Sequence, residues 1–472
     1  MADNKTQLAV IGAGPGGYAA AFLAADLDME VTLIDPKPNP GGVCLFKGCI
    51  PSKALLHVAK LISEAKKSEK WGVKFAPPEI DVDQVRTWKE SVVNKLTGGL
   101  GQLSKQRKIN FIQGRAVFQS ANSVEITTAE GKQTLEFEHA VLATGSRPIA
   151  LPNVKIDSPR LMNSTDALAL KDVPKTLLVV GGGYIGLEMA TVYAALGSQV
   201  SVVEMLPGLL PGADKDLVRI LQLRLKNSLH EIMVDTKVVE MTEVKDGIKV
   251  RFEGAKLKEP EQVFEKVLVS IGRRPNTTGI GLENAGIELE EKGFVKVDAQ
   301  RKTNVPSIYA IGDITGQPML AHKASHEGRV AVEAIAGHKV AFEPRAIPAV
   351  VFTDPEIAWA GLTESEAKEQ GKNMEVIRFP WAASGRALTM DRTDGVTKLI
   401  VDSETERILG MAIVGAGAGE MISEGVLAIE MAANASDLKL TIHPHPTLSE
   451  TVMESAEMFF GQSTHVYRKK RK

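Results

Sequence analysis

The sequence contains the same strand, glycine turn, helix, strand and acid pattern twice. The first copy begins with the apolar run Leu8–Ile11, continues through the turn at Gly12, Gly14 and Gly17, and ends at Asp35 after a second apolar run. In this pattern the first glycine makes the tight turn, the second lets a pyrophosphate approach the backbone, and the third allows close helix–strand packing. The pattern predicts a Rossmann-like dinucleotide-binding unit whose acid accepts the ribose hydroxyls.

The second copy starts at Leu177–Val180, passes through Gly181, Gly183 and Gly186, and ends at Glu204. Its acid lies 18 residues after the third glycine, the same offset as in the first copy. A carboxylate at this position suits a free 2′-hydroxyl and repels a 2′-phosphate, which favours NAD over NADP. Two units with matched acids predict two nucleotide cofactors in one chain.

Segment 41–53 holds both cysteines of the 472-residue chain, Cys44 and Cys49. Their close spacing suggests a reversible dithiol/disulfide pair, because a core this large needs no disulfide scaffold. In a regular α-helix such residues lie roughly 8.6 Å apart at Cα, beyond the ~6.8 Å that a disulfide tolerates. A bridge therefore requires a deformed helical turn, which Gly48 and Pro51 permit. The alternative is that both cysteines are small buried apolar residues.

Composition narrows the class of protein. Hydrophobic residues make up 44% of the chain and the net charge is -2, so nothing indicates a nucleic-acid-binding surface. No apolar run is long enough to span a bilayer, and the N-terminus lacks the pattern of a signal peptide. We expect no membrane association and a reducing compartment, the bacterial cytoplasm in preference to an organellar matrix. The basic run Arg468–Lys472 is expected to be a solvated tail.

The stretch between the two units has its own periodicity. It predicts two helices, Lys53–Glu69 and Val82–Lys105, and four strands, Asn110–Phe118, Ser123–Thr128, Gln133–Phe137 and Ala140–Ala143. After the second unit, the strand Ile308–Ile311 leads into Asp313, which is either a turn residue or a ligand for the hydroxyls of a ribityl chain. From Pro344 onward the sequence predicts an α+β region without a glycine fingerprint.

Two histidines lie near the end of this last region, in His443-Pro-His445-Pro-Thr-Leu-Ser-Glu450. The two X-Pro pairs hold the histidines on a stiff, extended loop. Thr447 and Glu450 fit a helix capping box, which gives the carboxylate a purely structural interpretation. The alternative is a histidine base that this carboxylate orients.

Together, the cysteine segment, the two glycine units and the His445–Glu450 segment resemble the pyridine nucleotide-disulphide oxidoreductases, over essentially the whole chain. The resemblance implies an α/β fold of two Rossmann-like dinucleotide-binding domains plus a C-terminal α+β dimerisation domain. The implied boundaries are 1–148 for an FAD-binding domain, 149–277 for an NAD-binding domain, 278–346 for a central domain that completes the FAD site, and 347–472 for the dimerisation domain. FAD is expected to be bound tightly and non-covalently, and no metal is expected.

The resemblance also implies individual roles. In these roles Cys44 exchanges with the substrate and Cys49 lies against the flavin. The implied catalytic residues, two of them supplied by the partner subunit of a homodimer, are Cys44, Cys49, Lys53, Glu188, His445 and Glu450. Positions that match FAD contacts are Gly12, Gly14, Gly17, Asp35, Lys53, Ala116, Gly145, Asp313 and Ala321. Positions that match NAD contacts are Gly181, Gly183, Gly186, Glu204, Val238 and Gly272.

Within the family, the run from Cys49 to Lys53 is most similar to members that oxidise protein-bound dihydrolipoyl groups with NAD⁺. The partners that this implies are lipoyl domains and acyltransferase cores of 2-oxo acid dehydrogenase complexes, or the carrier protein of the glycine cleavage system. A glutathione-reductase-like disulfide reductase is the alternative, which Tyr184 favours. A non-catalytic nucleotide-binding scaffold is a further alternative, but it would not need the cysteines and the histidine together.

Two departures from the family pattern lead to hypotheses. Tyr184 stands where an isoleucine or valine is usual, and its ring is expected to cover the flavin until NAD displaces it. Phe46 and Lys47 replace a more usual Asn-Val between the cysteines, and Lys47 is expected to add positive charge near the thiols.

Overall fold

The computed structural model describes residues 5–152, 154, 156–255 and 257–467. The basic run at 468–472 lies outside the described residues. Among the helices of the described part, none combines the length and the apolar character needed to cross a bilayer.

The first glycine unit builds a seven-stranded sheet at the N-terminal end of the chain. Its spatial order is β3-β2-β1-β6-β5-β4, and a strand from later in the chain, β17, pairs with β6. The strands are β1 (Lys5–Ile11), β2 (Val31–Asp35), β3 (Asn110–Gln113), β4 (Arg115–Ser120), β5 (Ser123–Thr128) and β6 (Gly131–Leu142), and β17 covers Ile308–Ala310. The helices are α1 (Pro15–Asp26), α2 (Gly42–Lys47), α3 (Cys49–Lys67) and α4 (Val82–Gln106).

Three expectations for this region are wrong in detail. The single strand expected over Asn110–Phe118 is two strands that divide at Gly114, because β3 pairs parallel with β2 and β4 pairs antiparallel with β5. The strands expected over Gln133–Phe137 and Ala140–Ala143 are one strand, which pairs antiparallel with β5 and then parallel with β1. The helix expected from Lys53 begins four residues earlier, at Cys49.

The second glycine unit forms a five-stranded sheet in the order β11-β10-β9-β15-β8. A three-stranded antiparallel sheet, β12-β13-β14, lies between β11 and β15 in the chain. The strands are β8 (Leu161–Asn163), β9 (Thr176–Val180), β10 (Gln199–Val203), β11 (Glu231–Met233), β12 (Lys237–Val244), β13 (Gly247–Glu253), β14 (Glu261–Phe264) and β15 (Lys266–Val269). The helices are α5 (Ser164–Ala169), α6 (Tyr184–Leu196) and α7 (Lys215–Leu225). A short antiparallel ribbon of β7 (Ser146–Pro148) and β16 (Arg273–Pro275) joins the two regions.

The C-terminal region is a five-stranded antiparallel sheet in the order β18-β19-β22-β21-β20. Its strands are β18 (Ala349–Val351), β19 (Glu356–Gly361), β20 (Met374–Pro380), β21 (Val396–Asp402) and β22 (Ile408–Gly415), and it follows α8 (Ala321–Ile335). Its helices are α9 (Glu364–Glu369), α10 (Gly385–Thr389), α11 (Ala418–Glu430), α12 (Ala435–Leu440) and α13 (Glu450–Phe459).

One apolar cluster connects three of these regions. It combines Leu55 of α3, the interior of the second sheet such as Val179, and Val351 and Ile357 at the start of the C-terminal region. Burial of apolar surface is the main favourable term in packing, so this cluster fixes α3 between the two other regions. The cysteine segment lies at the N-terminal end of α3, where it depends on all three.

Candidate active site

The first glycine turn closes tightly onto the sheet. Gly12 has a φ of 100°, a left-handed conformation that favours glycine. A Cβ on Gly17 would overlap the carbonyl oxygen of Gly12, so α1 packs on β1 only with glycine at this position. Gly14 in turn faces Gly42, with 3.9 Å between its added Cβ and the Gly42 Cα. The cysteine segment therefore lies directly over the glycine turn.

The carboxylate of Asp35 is locked to this turn. It accepts hydrogen bonds from Ala13 N–H at 2.8 Å and Lys37 N–H at 2.9 Å. Burial raises the pKa of Asp35, although the two backbone N–H groups counteract it. Each oxygen keeps a second lone pair, which is available to a ribose hydroxyl.

A cavity of about 600 Å³ extends from this turn to the thiols. Its lining includes eight of the nine residues that match FAD contacts, and the ninth, Gly17, lies behind the turn. The lining also contains both cysteines and Tyr184. A glycine cradle at one end and thiols at the other fit a dinucleotide with a redox-active ring system. The eight residues are Gly12, Gly14, Asp35, Lys53, Ala116, Gly145, Asp313 and Ala321, of which Lys53 lies beside the thiols.

The turn around Asp313 is held by a buried acid that sequence reasoning missed. Glu327 on α8 is fully buried and accepts a hydrogen bond from Gly312 N–H at 2.6 Å. Arg301 and Lys323 each place a cationic nitrogen 2.9 Å from the same carboxylate. The Ser146 hydroxyl donates to Asp313 itself. The position of Glu327 in an amphipathic helix gave no signal of this role.

The second glycine turn repeats the first. Gly181 has a φ of 110°, and an added Cβ would lie 2.5 Å from the carbonyl oxygen of Ser270. A Cβ on Gly186 would overlap the Gly181 carbonyl oxygen. The Glu204 carboxylate accepts hydrogen bonds from Gly182 N–H and from Leu206 N–H, at 2.7 and 2.8 Å.

The remaining matches to NAD contacts lie around this second turn. Gly183 is the N-cap of α6 and faces open space. Thr236 N–H donates to the backbone oxygen of Glu204 at 3.0 Å, and Val238 follows two residues later in β12. Gly272 has a φ of 126°, and its carbonyl accepts a hydrogen bond from Ile149 N–H at 3.1 Å.

The cysteines lie on either side of a helix break. Cys44 is in α2 and Cys49 is the first residue of α3, with Gly48 between the helices at φ -143° and ψ -111°. A Cβ at Gly48 would lie 3.0 Å from the Val43 carbonyl oxygen. Both residues are free thiols in the structure, and they are hydrogen-bonded to each other. The break between α2 and α3 is the deformation that their spacing requires.

The two thiols differ strongly in acidity. The hydrogen bond from Cys44 lowers the pKa of Cys49 to about 7; burial opposes this effect and the charge of Lys53 assists it. The same hydrogen bond, together with burial, raises the pKa of Cys44. Cys49 is therefore the first thiol of the pair to ionise, and Cys44 keeps its proton. Lys47 lies exposed at the cavity lining, and its expected influence on the thiols stays a prediction.

Lys53 and Glu188 meet beside the thiols. The Lys53 ammonium lies 3.0 Å from both carboxylate oxygens of Glu188, whose side chain is only 3% exposed. Phe352, which sequence reasoning missed, also contacts this pair: its N–H donates to Glu188 at 3.1 Å and its ring faces Lys53. No local pattern could have indicated Phe352, because the contact joins distant parts of the chain.

Two tyrosines interact electrostatically with the thiols. Burial raises the pKa of Tyr18 on α1, and the charges of Cys44 and Cys49 raise it further, but Tyr18 does not line the cavity. Tyr184 lines the cavity with 40% of its surface exposed. Burial of its hydroxyl raises the pKa of Tyr184 to about 12, while Arg273 acts in the opposite direction.

His445 and Glu450 form a pair on the surface. The His445 Nδ1 lies 2.8 Å from Glu450 Oε1, and the imidazole side chain is 73% exposed. Burial raises the pKa of Glu450, but hydrogen bonds from Thr447 N–H and His445 outweigh it, so the net pKa is lowered. The pair does not belong to the lining of the cavity that holds the thiols.

The capping-box interpretation of this segment is wrong in part. Thr447 N–H does donate to Glu450, at 2.7 Å, but Ser449 is the N-cap and α13 begins at Glu450. The Thr447 hydroxyl donates to the carbonyl oxygen of Pro444 at 2.7 Å and is not a cap. His443, the other histidine, contacts Glu424 at 2.7 Å with its Nε2.

The fold and the site together define a protein with two nucleotide-binding units and a dithiol between them. Residues 6–328 match the family described as pyridine nucleotide-disulphide oxidoreductase, and residues 347–456 match its dimerisation domain. The chain belongs to this family. The predicted family and fold class are thereby confirmed, and the dimerisation domain supports a homodimer.

Several similar curated proteins share the name dihydrolipoyl dehydrogenase. The dihydrolipoyl dehydrogenase of Vibrio cholerae is 52% identical over 470 residues, which cover 100% of this chain and 99% of that protein. The dihydrolipoyl dehydrogenases of Haemophilus influenzae and Bacillus subtilis are 51% and 47% identical, with 98% or more of each chain covered.

Solved structures of similar proteins include two with the same overall architecture. LpdA from Mycobacterium tuberculosis superposes with a TM-score of 0.89 at 27% identity. The HOCl-induced flavoprotein disulfide reductase RclA from Escherichia coli superposes with a TM-score of 0.85 at 29% identity. Each comparison covers 96% of this chain and 99% of the other.

Proposed function

We propose that this protein oxidises protein-bound dihydrolipoyl groups and reduces NAD⁺, with FAD and the Cys44–Cys49 pair as its redox centres. One observation carries the proposal: two thiols that differ in pKa line the same cavity as the first glycine turn. The dihydrolipoyl dehydrogenases that are 52% and 51% identical over the whole chain support the choice of substrate.

FAD fits the residues around the first glycine turn. The turn binds the pyrophosphate, Asp35 accepts the ribose hydroxyls, and Asp313 binds the ribityl chain, while Ala116, Gly145 and Ala321 leave room along the cavity. The N-terminus of α1 adds free N–H groups and the positive end of the helix dipole. Bound FAD supplies a ring system that accepts two electrons from the dithiol and passes a hydride to NAD⁺.

The chain's own residues carry out the thiol chemistry. In the disulfide state, a dihydrolipoyl thiolate attacks Cys44, a substrate–Cys44 bond forms, and Cys49 leaves as a thiolate. The second substrate thiol then attacks the mixed disulfide, which closes the lipoyl disulfide and releases Cys44. The substrate has lost two electrons and two protons, and the dithiol holds the electrons. The low pKa of Cys49 makes it a good leaving group.

The base for these steps comes from a second copy of the chain. The partner subunit's His445, oriented by the partner's Glu450, removes the substrate thiol protons. A carboxylate on Nδ1 fixes the imidazole tautomer and stabilises the imidazolium. Two observations support this: the histidine is exposed, and it lies outside the cavity of its own chain. The pKa of a free thiol is about 8.5, so most of the substrate thiol is protonated at neutral pH and a base is needed to remove its proton.

NAD is proposed to bind at the second glycine turn. Glu204 accepts the hydroxyls of the adenosine ribose and repels the 2′-phosphate of NADP. Val238 and Gly272 lie around the same acid and turn. The domain boundaries 1–148, 149–277, 278–346 and 347–472 belong to the same proposal, and the β7–β16 ribbon supports the first two of them.

The proposed partners follow from the substrate. They are lipoyl domains and acyltransferase cores of 2-oxo acid dehydrogenase complexes, or the carrier protein of the glycine cleavage system. The bacterial cytoplasm is the proposed location, which relatives from Vibrio cholerae and Bacillus subtilis support.

A steady-state assay tests the function. The purified yellow protein is expected to reduce NAD⁺ with dihydrolipoamide, to prefer NAD⁺ to NADP⁺ and to ignore glutathione. Cys44→Ser is expected to abolish turnover and leave FAD bound. Retained dihydrolipoamide oxidation in Cys44→Ser would refute the thiol mechanism, and turnover with glutathione alone would favour the alternative that Tyr184 suggests.

A further inference from the structure

Phe352 contacts both members of the Lys53–Glu188 pair. Its backbone N–H donates to Glu188 Oε1 at 3.1 Å, and the Lys53 ammonium lies 4.4 Å from the centroid of its ring. Lys53 belongs to α3, Glu188 to α6, and Phe352 follows β18 within the dimerisation domain. The ion pair and its contacts with Phe352 thus join three regions of the chain.

The ring restricts a flexible cation. The Lys53 side chain is 34% exposed, so its ammonium has a route to solvent. A lysine stem is long and readily changes rotamer, whereas the face of an aromatic ring attracts a cation and excludes water. Glu188 holds the ammonium from one side and Phe352 covers it from another. The backbone N–H of Phe352 meanwhile helps to hold the buried carboxylate in place.

We propose that Phe352 is a positioning residue through which the dimerisation domain sets the electrostatics of the redox centre, with its ring holding Lys53 and its N–H holding Glu188. The inference rests on the proposed function, because it assumes that Cys49 acts as a thiolate. Phe352 itself does not touch the reacting sulfur atoms in this assignment and acts through Lys53.

The charge at Cys49 is sensitive to this arrangement. The groups that act on this thiol are Tyr18 from α1, Cys44 from α2, Lys53 from α3, and Glu188 and Tyr184 from α6. Lys53 is the cation among them, and its positive charge favours the thiolate. An ammonium that moves into water stabilises the thiolate less, since solvent screens it.

The test compares Phe352→Leu with Phe352→Tyr in the reduced holoenzyme. Both variants keep the backbone N–H, and only the tyrosine keeps a ring. The flavin–thiolate absorbance band, followed against pH, reports the fraction of Cys49 thiolate. At pH values below the midpoint of the titration, Phe352→Leu is expected to lower the thiolate fraction about threefold. This factor corresponds to the free energy of one partly exposed cation–π contact. Phe352→Tyr is expected to titrate like the wild type.

Phe379→Leu is the matched control, because it removes a ring that is buried in the core of the same domain. It is expected to leave the titration unchanged even if it destabilises the domain. If Phe352→Leu loses its flavin, Phe352→Met replaces it, since it fills more of the volume and also lacks a ring. A leucine or methionine variant that titrates like the wild type would overturn the proposal, as would a tyrosine variant that shifts equally. Absence of dihydrolipoamide oxidation in the wild type would refute the proposed function instead.

Discussion

The two glycine units have the same local hydrogen bonds and close contacts, but the rest of the chain buries one turn more than the other. In each unit, the acid accepts a hydrogen bond from the N–H of the residue between the first two glycines. It accepts a second one from the N–H of the residue two positions after the acid itself. In each, the third glycine avoids overlap with the carbonyl oxygen of the first. The local geometry of the turn is therefore set within about thirty residues of sequence, which is the length of one such unit.

Their surroundings differ. Gly14 lies against Gly42 of the cysteine segment, and Asp35 is only 7% exposed. Gly183 faces open space, and Glu204 is only partly buried. A covered cradle suits a cofactor that stays bound, and an open one suits a cosubstrate that exchanges in each turnover. A bound cofactor and an exchanging cosubstrate are therefore distinguished by how far the rest of the chain buries each glycine turn, and not by the glycine pattern itself.

The largest effect is expected from the third glycines. Gly17→Ala forces a Cβ onto a backbone oxygen, so FAD should be lost and the free energy of unfolding should fall by about 3 kcal/mol or more. Gly186→Ala makes the equivalent overlap in the second unit and should lose NADH binding but keep its flavin. Flavin absorbance after gel filtration and urea denaturation measure both effects.

Gly98→Ala in α4 is the control for these alanines. Its added Cβ meets no atom within 4 Å, so it should stabilise the protein by about 0.5–1 kcal/mol. If Gly17→Ala keeps its flavin and Gly186→Ala loses it, the assignment of cofactors to the two units is reversed.

Substitution of the two acids, Glu204 and Asp35, should likewise affect different cofactors. Glu204→Gln removes the charge, keeps one acceptor oxygen and should raise the KM for NAD⁺ about tenfold, the factor that corresponds to one charged hydrogen bond. Its preference for NAD⁺ over NADP⁺ should fall, because the repulsion of a 2′-phosphate is lost. Asp35→Asn should instead speed the release of FAD. Steady-state kinetics and flavin release by dialysis measure these, and a Glu204→Gln protein with unchanged nucleotide preference would count against the proposed NAD site.

The thiols offer a pH test. The pKa of Cys49 is lowered from the ordinary thiol range to about 7, so the thiolate forms above pH 7 and is lost as the pH falls through that value. Cys44→Ala removes the largest cause, and the midpoint of the flavin–thiolate band should move to higher pH. Lys53→Met should move it in the same direction by less. A midpoint that stays near pH 7 in Cys44→Ala would show that the hydrogen bond between the thiols does not lower the pKa.

The smallest effect is expected at Tyr184, where the two cofactor sites meet. If the ring covers the flavin until NAD displaces it, Tyr184→Ile should bind NADH more tightly and reduce the flavin a few-fold faster. Stopped-flow reduction by NADH measures this, with Tyr184→Phe as the control that keeps the ring. Equal affinity and equal rate in Tyr184→Ile would exclude a gating role.

Much of the site could be predicted where its chemistry is local in sequence. The glycines, Asp35, Glu204 and the helix break between Cys44 and Cys49 follow from spacing alone. The capping box at Thr447 misled, because the same residues satisfy a loop hydrogen bond to Pro444 in place of a helix start. The strand break at Gly114 could not be predicted, because the chain changes there from pairing with β2 to pairing with β5, and only the folded sheet shows this change.

The sequence by itself determined two nucleotide units, one reactive thiol pair and the acids that accompany them, because turn geometry and helix spacing act over short distances. Only the tertiary structure decided that Glu327 and Phe352 belong to the site, and that one cradle is covered while the other is open. Contacts such as that between Phe352 and Glu188 join residues 164 positions apart. They form when whole domains pack, and no local pattern records which side chains that packing brings together.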